Sequence, residues 1–234
     1  MTDPALLLVA HGTRNPRGVE TIAAVADAVS REVGTTRVAF VDVLGPSPAE
    51  VLRGSGRPTV LVPAFLASGY HVHADVPREV AESGHPAVAV TRALGPDPVL
   101  ARVQLQRLAA AGWRPGDAVV LAAAGSSDPR ARRDVRRAAE MVSSLAGVAV
   151  RVGYVATGAP RVPDVVAELR AAGARRVFVA SYLLADGLFH TRLADAGADG
   201  VAAPLGVHEA VVRLVVQRYR SAAAALLSEE PLRG

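Results

Sequence analysis

Residues 8–17, LVAHGTRNPR, return later in the chain as LAAAGSSDPR at residues 121–130. Two further stretches recur in the same order: RVAFVDVLGP from Arg37 against RVGYVATGAP from Arg151, and FLASGYH ending at His71 against LLADGLF ending at Phe189. The displacements are 113 (124 less 11), 114 (151 less 37) and 118 (189 less 71), a slow growth that loop insertions produce. The chain is therefore an internal duplication of a unit of about 115 residues. The halves are predicted at 1–115 and 116–234, meeting in AGWRPGD at residues 111–117, where glycine and proline interrupt the pattern.

Within each half, short valine-rich apolar runs alternate with amphipathic segments. ALLLVA, RVAFVDV, PTVLVP and AVAV are separated by VETIAAVADAVSREV, a short piece around Pro48 to Leu52, and VPREVAES, with a further helix from about Asp97 to Ala111. The order resumes with AVVLAAA, ARRDVRRAAEMVSSL, VAVRVGYV, PRVPDVVAELRAAG, RRVFVASYLL and a last helix from His208. Continuous apolar runs of this kind read as parallel strands buried on both faces, joined by right-handed helical crossovers. The predicted class is α/β: two similar halves, each a mainly parallel sheet flanked by helices, with a cleft between them lined by loops at the carboxyl ends of the strands.

Composition excludes several classes of function. Of 234 residues half are apolar, enough for a buried core, and cysteine is absent, which rules out disulfides, thiolate metal sites, cysteine nucleophiles and iron–sulfur clusters. The 26 basic residues are all arginine and the net charge is only +4, too mild and too dispersed to argue for nucleic acid; RARRDVRRAAE reads as a solvated helix face. No apolar run approaches the roughly 20 residues that span a bilayer, and MTDPALLLVAHG lacks a signal-peptide pattern, so a cytoplasmic protein without membrane partners is expected.

The duplication supplies an internal control. A residue needed for the fold should survive in both copies, whereas one needed for chemistry need survive in only one. Gly12 persists as Gly125, and a backbone role at the turn after the strand accounts for it. His11 does not persist: its partner is Ala124, while Asp42 faces Ala156 and His71 faces Phe189. All three polar residues fall at or just past the ends of the first three strands of the first half, where side chains converge. Two imidazoles and a carboxylate there suit a divalent first-row metal. His73, two residues beyond His71, is a candidate additional ligand or proton relay, with an incidental loop position as the other reading. His190 is a candidate for lining the cleft from the second half. His85, in SGHPA, and His208, opening the last helix, read as surface and helix-end residues.

No glycine-rich turn fits GxGxxG or GxxxxGK[ST], so a nucleotide site is not expected. HGTR has some similarity to the Arg-His-Gly motif of histidine phosphatases, but Ala10 stands where the phosphate-clamping arginine belongs and Arg14 comes three residues late.

HGTR after the first strand, the acidic residue of FVD after the second, and PAFLASGYHVHADVP after the third resemble the bacterial sirohydrochlorin chelatases of the CbiX and SirB type, the class II chelatases. The resemblance covers nearly the whole chain, and its third motif is the most specific. It implies insertion of Fe²⁺ or Co²⁺, as substrate, into sirohydrochlorin on the way to sirohaem or cobalamin. The metal and catalytic residues would be His11, Asp42 and His71; His11 would be ligand and base, His71 second ligand, and Asp42 ligand or orienter of an imidazole. The family more usually has glutamate at the acidic position, and His73 adds an imidazole its pattern does not require. The substrate is a polycarboxylate, for which Arg14, Arg17 and Arg78 are candidate partners. Two halves fused in one chain favour a monomer. A tetrapyrrole or metal carrier with the same ligands, and a phosphotransfer enzyme built on His11, are the alternatives.

Overall fold

A computed structural model describes residues 3–228. The first repeat contains β1 (Ala5–Ala10), α1 (Pro16–Val33), β2 (Thr36–Phe40), α2 (Pro48–Arg53), β3 (Thr59–Pro63), a π-helical turn (His71–Asp75) running into α3 (Val76–Ser83), β4 (Val88–Val90) and α4 (Pro98–Ala110). The second contains β5 (Ala118–Gly125), α5 (Pro129–Ala146), β6 (Val150–Thr157), α6 (Val162–Ala171), β7 (Val177–Tyr182), the short α7 (Leu188–Arg192), β8 (Gly200–Val201) and α8 (Glu209–Ser228). The predicted alternation of strands and helices is present in both.

Each repeat builds its own four-stranded parallel sheet, in the order β2-β1-β3-β4 and β6-β5-β7-β8. The registers correspond: Leu8 lies between Val38 and Val62, and Leu121 between Val152 and Ala180. Burial of Leu6 to Ala10 and of Val119 to Ala123 explains why these runs are apolar without alternation: both faces of the sheet are covered. On one face of the first sheet Leu7, Val9, Ala39, Leu52, Leu61 and Val76 pack together; each of the leucine and valine side chains contributes roughly 1.5–3 kcal/mol on burial.

The repeated Pro-Arg dipeptide also has a structural meaning. Asn15 caps α1 by accepting from Arg17 N, and Asp128 caps α5 by accepting from Arg130 N, each with proline in the first turn. The turn after the central strand thus launches a helix in the same way twice.

The compact units do not coincide with the sequence repeats. One takes the chain up to Phe65, Tyr70–Leu94 and the chain from Val212; the other takes Leu66–Gly69 and Gly95–Val211. So α4, from the first repeat, belongs to the unit built on the second sheet, where buried Gln104 donates from Nε2 to Ser181 O at 2.8 Å. Most of α8, from the second repeat, belongs to the unit built on the first sheet, where Tyr219 Oη donates to Pro4 O at 2.7 Å. Among the described residues no helix is long and apolar enough to cross a membrane.

Candidate metal site

In the order β2-β1-β3-β4 the chain leaves β1 toward β2 on one side and returns to β3 on the other. The carboxyl ends of β1 and β3 therefore flank the point where strand order reverses, the customary ligand position of open α/β sheets. His11 follows β1 directly and His71 lies in the segment after β3.

Gly12 makes the first turn possible. It has φ +90°, and a Cβ there would collide with the carbonyl oxygen of Asp42; Asp42 N in turn donates to His11 O at 3.2 Å. Gly125 has φ +102°, and a Cβ there would collide with Thr157 O. The glycine is kept for the backbone, as expected. One detail differs: a bulge between Ala123 and Gly125 sets Gly125 opposite Thr157, one residue beyond Ala156, the sequence counterpart of Asp42.

His11 and His71 are brought together. Their ring centroids lie 4.5 Å apart with an interplanar angle of 83°, edge to face. His11 is exposed and His71 partly buried, backed by Phe65, whose ring is nearly parallel at 6.1 Å. His11 Nδ1 stands 3.2 Å from Gly12 O. A carbonyl can only accept, so Nδ1 carries the hydrogen and Nε2 the lone pair. His71 opens the π-helical turn, in which Val76 N–H reaches back to His71 O. The turn places Asp75 Oδ2 at 2.6 Å from His71 Nδ1, so Nδ1–H donates to the carboxylate and the lone pair of that ring too is left on Nε2.

Asp75 is 6% exposed, and its other oxygen, Oδ1, lies 2.6 Å from Arg78 Nη1. That hydrogen bond raises the Arg78 guanidinium above its ordinary pKa, and Glu79 and Glu82 add carboxylates at 3.7 and 3.6 Å. Arg78, expected to meet substrate carboxylates, thus already has carboxylate partners of its own. Asp75 was missed in the sequence reading; its spacing of four from His71 in HVHAD was the available signal.

The remaining candidates separate. Asp42 is exposed, and its Oδ1 accepts from Val43 N at 2.7 Å, holding Val43 at φ +69°, a left-handed conformation costly for a β-branched residue. That bond lies within the turn after β2 and uses one of the two carboxylate oxygens. His73 is exposed, and residues two apart on a helical turn do not face the same way, so the expectation that it joins His71 is corrected. Among the described residues no three His, Cys, Asp or Glu side chains form a group around one ion; the structure supplies the His11–His71 pair. Arg14 and Arg17 are exposed, in the turn after β1 and the first turn of α1. His190 has partners at both ring nitrogens, Asp186 Oδ1 at 2.9 Å and Ala202 O at 3.3 Å. His85 is partly buried, not a surface residue, and accepts from Ala87 N, while His208 accepts from Ala210 N at the start of α8.

Comparison with known proteins places this geometry in context. The sequence model of the CbiX family matches residues 5–111 and again residues 118–222, once per repeat. The sirohydrochlorin ferrochelatase of Priestia megaterium is 24% identical over 205 residues, 82% of this chain and 77% of that protein. The sirohydrochlorin cobaltochelatase of Methanosarcina barkeri is 32% identical over 79 residues, 31% of this chain and 61% of that one. SirB from Bacillus subtilis, solved with Fe³⁺, has the same fold: TM-score 0.81 at 23% identity, covering 97% of this chain and 98% of that one.

Proposed function

The chain belongs to the CbiX family, and from that premise we propose that it is a sirohydrochlorin chelatase, inserting a divalent metal, Fe²⁺ or Co²⁺, into sirohydrochlorin. The observation that carries the reading is the His11–His71 pair, 4.5 Å apart, with each Nδ1 tied to a protein oxygen and each Nε2 left to bind.

Metallation requires that the ion lose water, pass to the ring nitrogens and displace two pyrrole protons. Neutral imidazole does the first by replacing water with nitrogen ligands suited to Fe²⁺ and Co²⁺. It can also accept a proton near neutral pH, which suits the last step. His11 and His71 would hold the ion through Nε2, and exposed His11 is the candidate base. Asp42 is assigned to the turn beside His11. Arg14 and Arg17 are the candidate partners of the substrate carboxylates. The duplicate separates these two: Arg17 recurs as Arg130, whereas Arg14 is replaced by Ser127. Arg14 is therefore the stronger candidate.

Two repeats on one chain favour a monomer, to be checked by sedimentation, and a cytoplasmic location is consistent with a small-molecule biosynthetic role. The functional test is the absorbance change of sirohydrochlorin mixed with Co²⁺ or Fe²⁺. Insertion should run faster with the protein than without it. A tetrapyrrole spectrum perturbed by binding with no gain in insertion rate would identify a carrier instead.

A further inference from the structure

We propose that Asp75 is a positioning residue that aims His71 at the metal, with Arg78 as its counter-charge; this rests on the reading of His71 as a ligand. Asp75 is buried, at 6% exposure, and both its oxygens are used, Oδ2 on His71 Nδ1 and Oδ1 on Arg78 Nη1, each at 2.6 Å. A carboxylate in such a place costs the fold desolvation that leucine would not, so its retention calls for a reason beyond packing.

The second repeat shows that packing alone does not call for it. At the displacement of 118 that pairs His71 with Phe189, Asp75 pairs with Leu193 and Arg78 with Ala196. Leu193 and Ala196 are buried, at 1% and 4% exposure. The histidine, the carboxylate and the guanidinium are thus replaced as a set by apolar side chains in the copy that lacks the imidazole pair. What Asp75 supplies that leucine cannot is an acceptor for His71 Nδ1–H. That bond selects the tautomer whose lone pair is on Nε2 and fixes the ring's rotation, so that it stands edge to face with His11. Without it the ring can turn or change tautomer, and the edge-to-face arrangement with His11 is no longer fixed.

The test is titration of the full-length protein with Co²⁺ alone, read from the ligand-field absorption bands, for the wild type, Asp75→Leu and Asp75→Asn. Asp75→Leu should keep its melting temperature within a few degrees, following Leu193, and lose roughly 10- to 100-fold in Co²⁺ affinity with altered bands. Asp75→Asn retains an acceptor and should lose less. Should Asp75→Leu fail to fold, Asp75→Asn and Arg78→Ala carry the test, each expected to weaken Co²⁺ binding several-fold with altered bands. Wild-type affinity and spectrum in the folded variants would overturn the proposal. Measuring tetrapyrrole metallation alongside separates the two readings. Active wild type with unaffected Asp75 variants sinks the positioning role alone. Co²⁺ binding that depends on Asp75, without accelerated insertion, sinks the chelatase reading and leaves the positioning role standing. A wild type that binds no Co²⁺ overturns the positioning role, and one that also fails to accelerate insertion overturns the chelatase reading as well.

Discussion

The ring of His11 stands edge to face with that of His71 at 4.5 Å, and each ring is anchored through Nδ1, one by a backbone carbonyl and the other by a buried carboxylate. The two imidazoles therefore present the same nitrogen, Nε2, while differing in how firmly they are held. His11, on an exposed turn, has the looser anchor.

Replacing His11 by alanine should remove about 10²–10⁴-fold of the insertion rate. The fold should not suffer, because Ala124 occupies the equivalent turn in the second repeat. Initial rates of sirohydrochlorin metallation together with a thermal melt check both halves of this statement. Full activity in the variant would falsify the assignment of His11.

Gly12→Ala and Gly125→Ala should each destabilise the protein by roughly 1–3 kcal/mol, since both positions have positive φ and both Cβ atoms would strike a carbonyl oxygen. Their functional effects should differ. Gly12→Ala displaces the Asp42 turn beside His11 and should lower activity beyond its effect on stability, whereas Gly125→Ala should not. Urea denaturation and rates at a temperature where both variants stay folded distinguish the two.

Asp42→Ala tests whether this carboxylate binds metal or shapes its turn. With Oδ1 held by Val43 N, the expected result is Co²⁺ affinity within about twofold of wild type, well short of the roughly tenfold or greater loss that even an outer-shell partner of a metal site brings. Val43→Gly, at φ +69°, should instead stabilise the chain by up to about 1 kcal/mol, because glycine adopts that conformation without the steric cost.

Asp199 links stability to acid. It accepts from Val177 N at 2.7 Å and from Arg170 Nη2 at 2.8 Å, and the bond from Val177, followed by the Arg170 guanidinium, holds its carboxyl below the usual range. A carboxyl that ionises more readily in the folded chain stabilises it above the unfolded pKa. That contribution is lost as pH falls through the folded value. Asp199→Asn should therefore cost about 1 kcal/mol at pH 7 and nearly nothing once the wild-type carboxyl is protonated. Denaturation midpoints of both proteins from pH 7 down to about pH 2.5 measure the convergence.

Much of this was legible in the sequence because it is written locally. Valine-rich runs marked strands covered on both faces, the repeated turn marked the glycine, and the comparison of His11 with Ala124 and of His71 with Phe189 picked out the imidazole pair. What escaped depended on conformation. The reading of His73 as an additional ligand assumes that residues two apart in the segment after β3 face the same way. As a helical turn it presents Asp75 to His71 and turns His73 elsewhere. Asp42 is picked out by its chemistry, and the bond from the next backbone N–H to its Oδ1 is a conformational detail that residue type does not announce. The bulge at Gly125 moves the partner of that glycine one residue from where alignment puts it, a displacement that no residue type announces.

The exchange of final helices gives the duplication a different meaning for folding than for ancestry. Severing the chain between residues 115 and 116 would part Val212–Ser228 from the first sheet, and α4 from the second. Each fragment would expose the apolar layer that its missing helix covers and carry a helix with no layer of its own to cover. The two repeats are separable as text, and interdependent as folded matter.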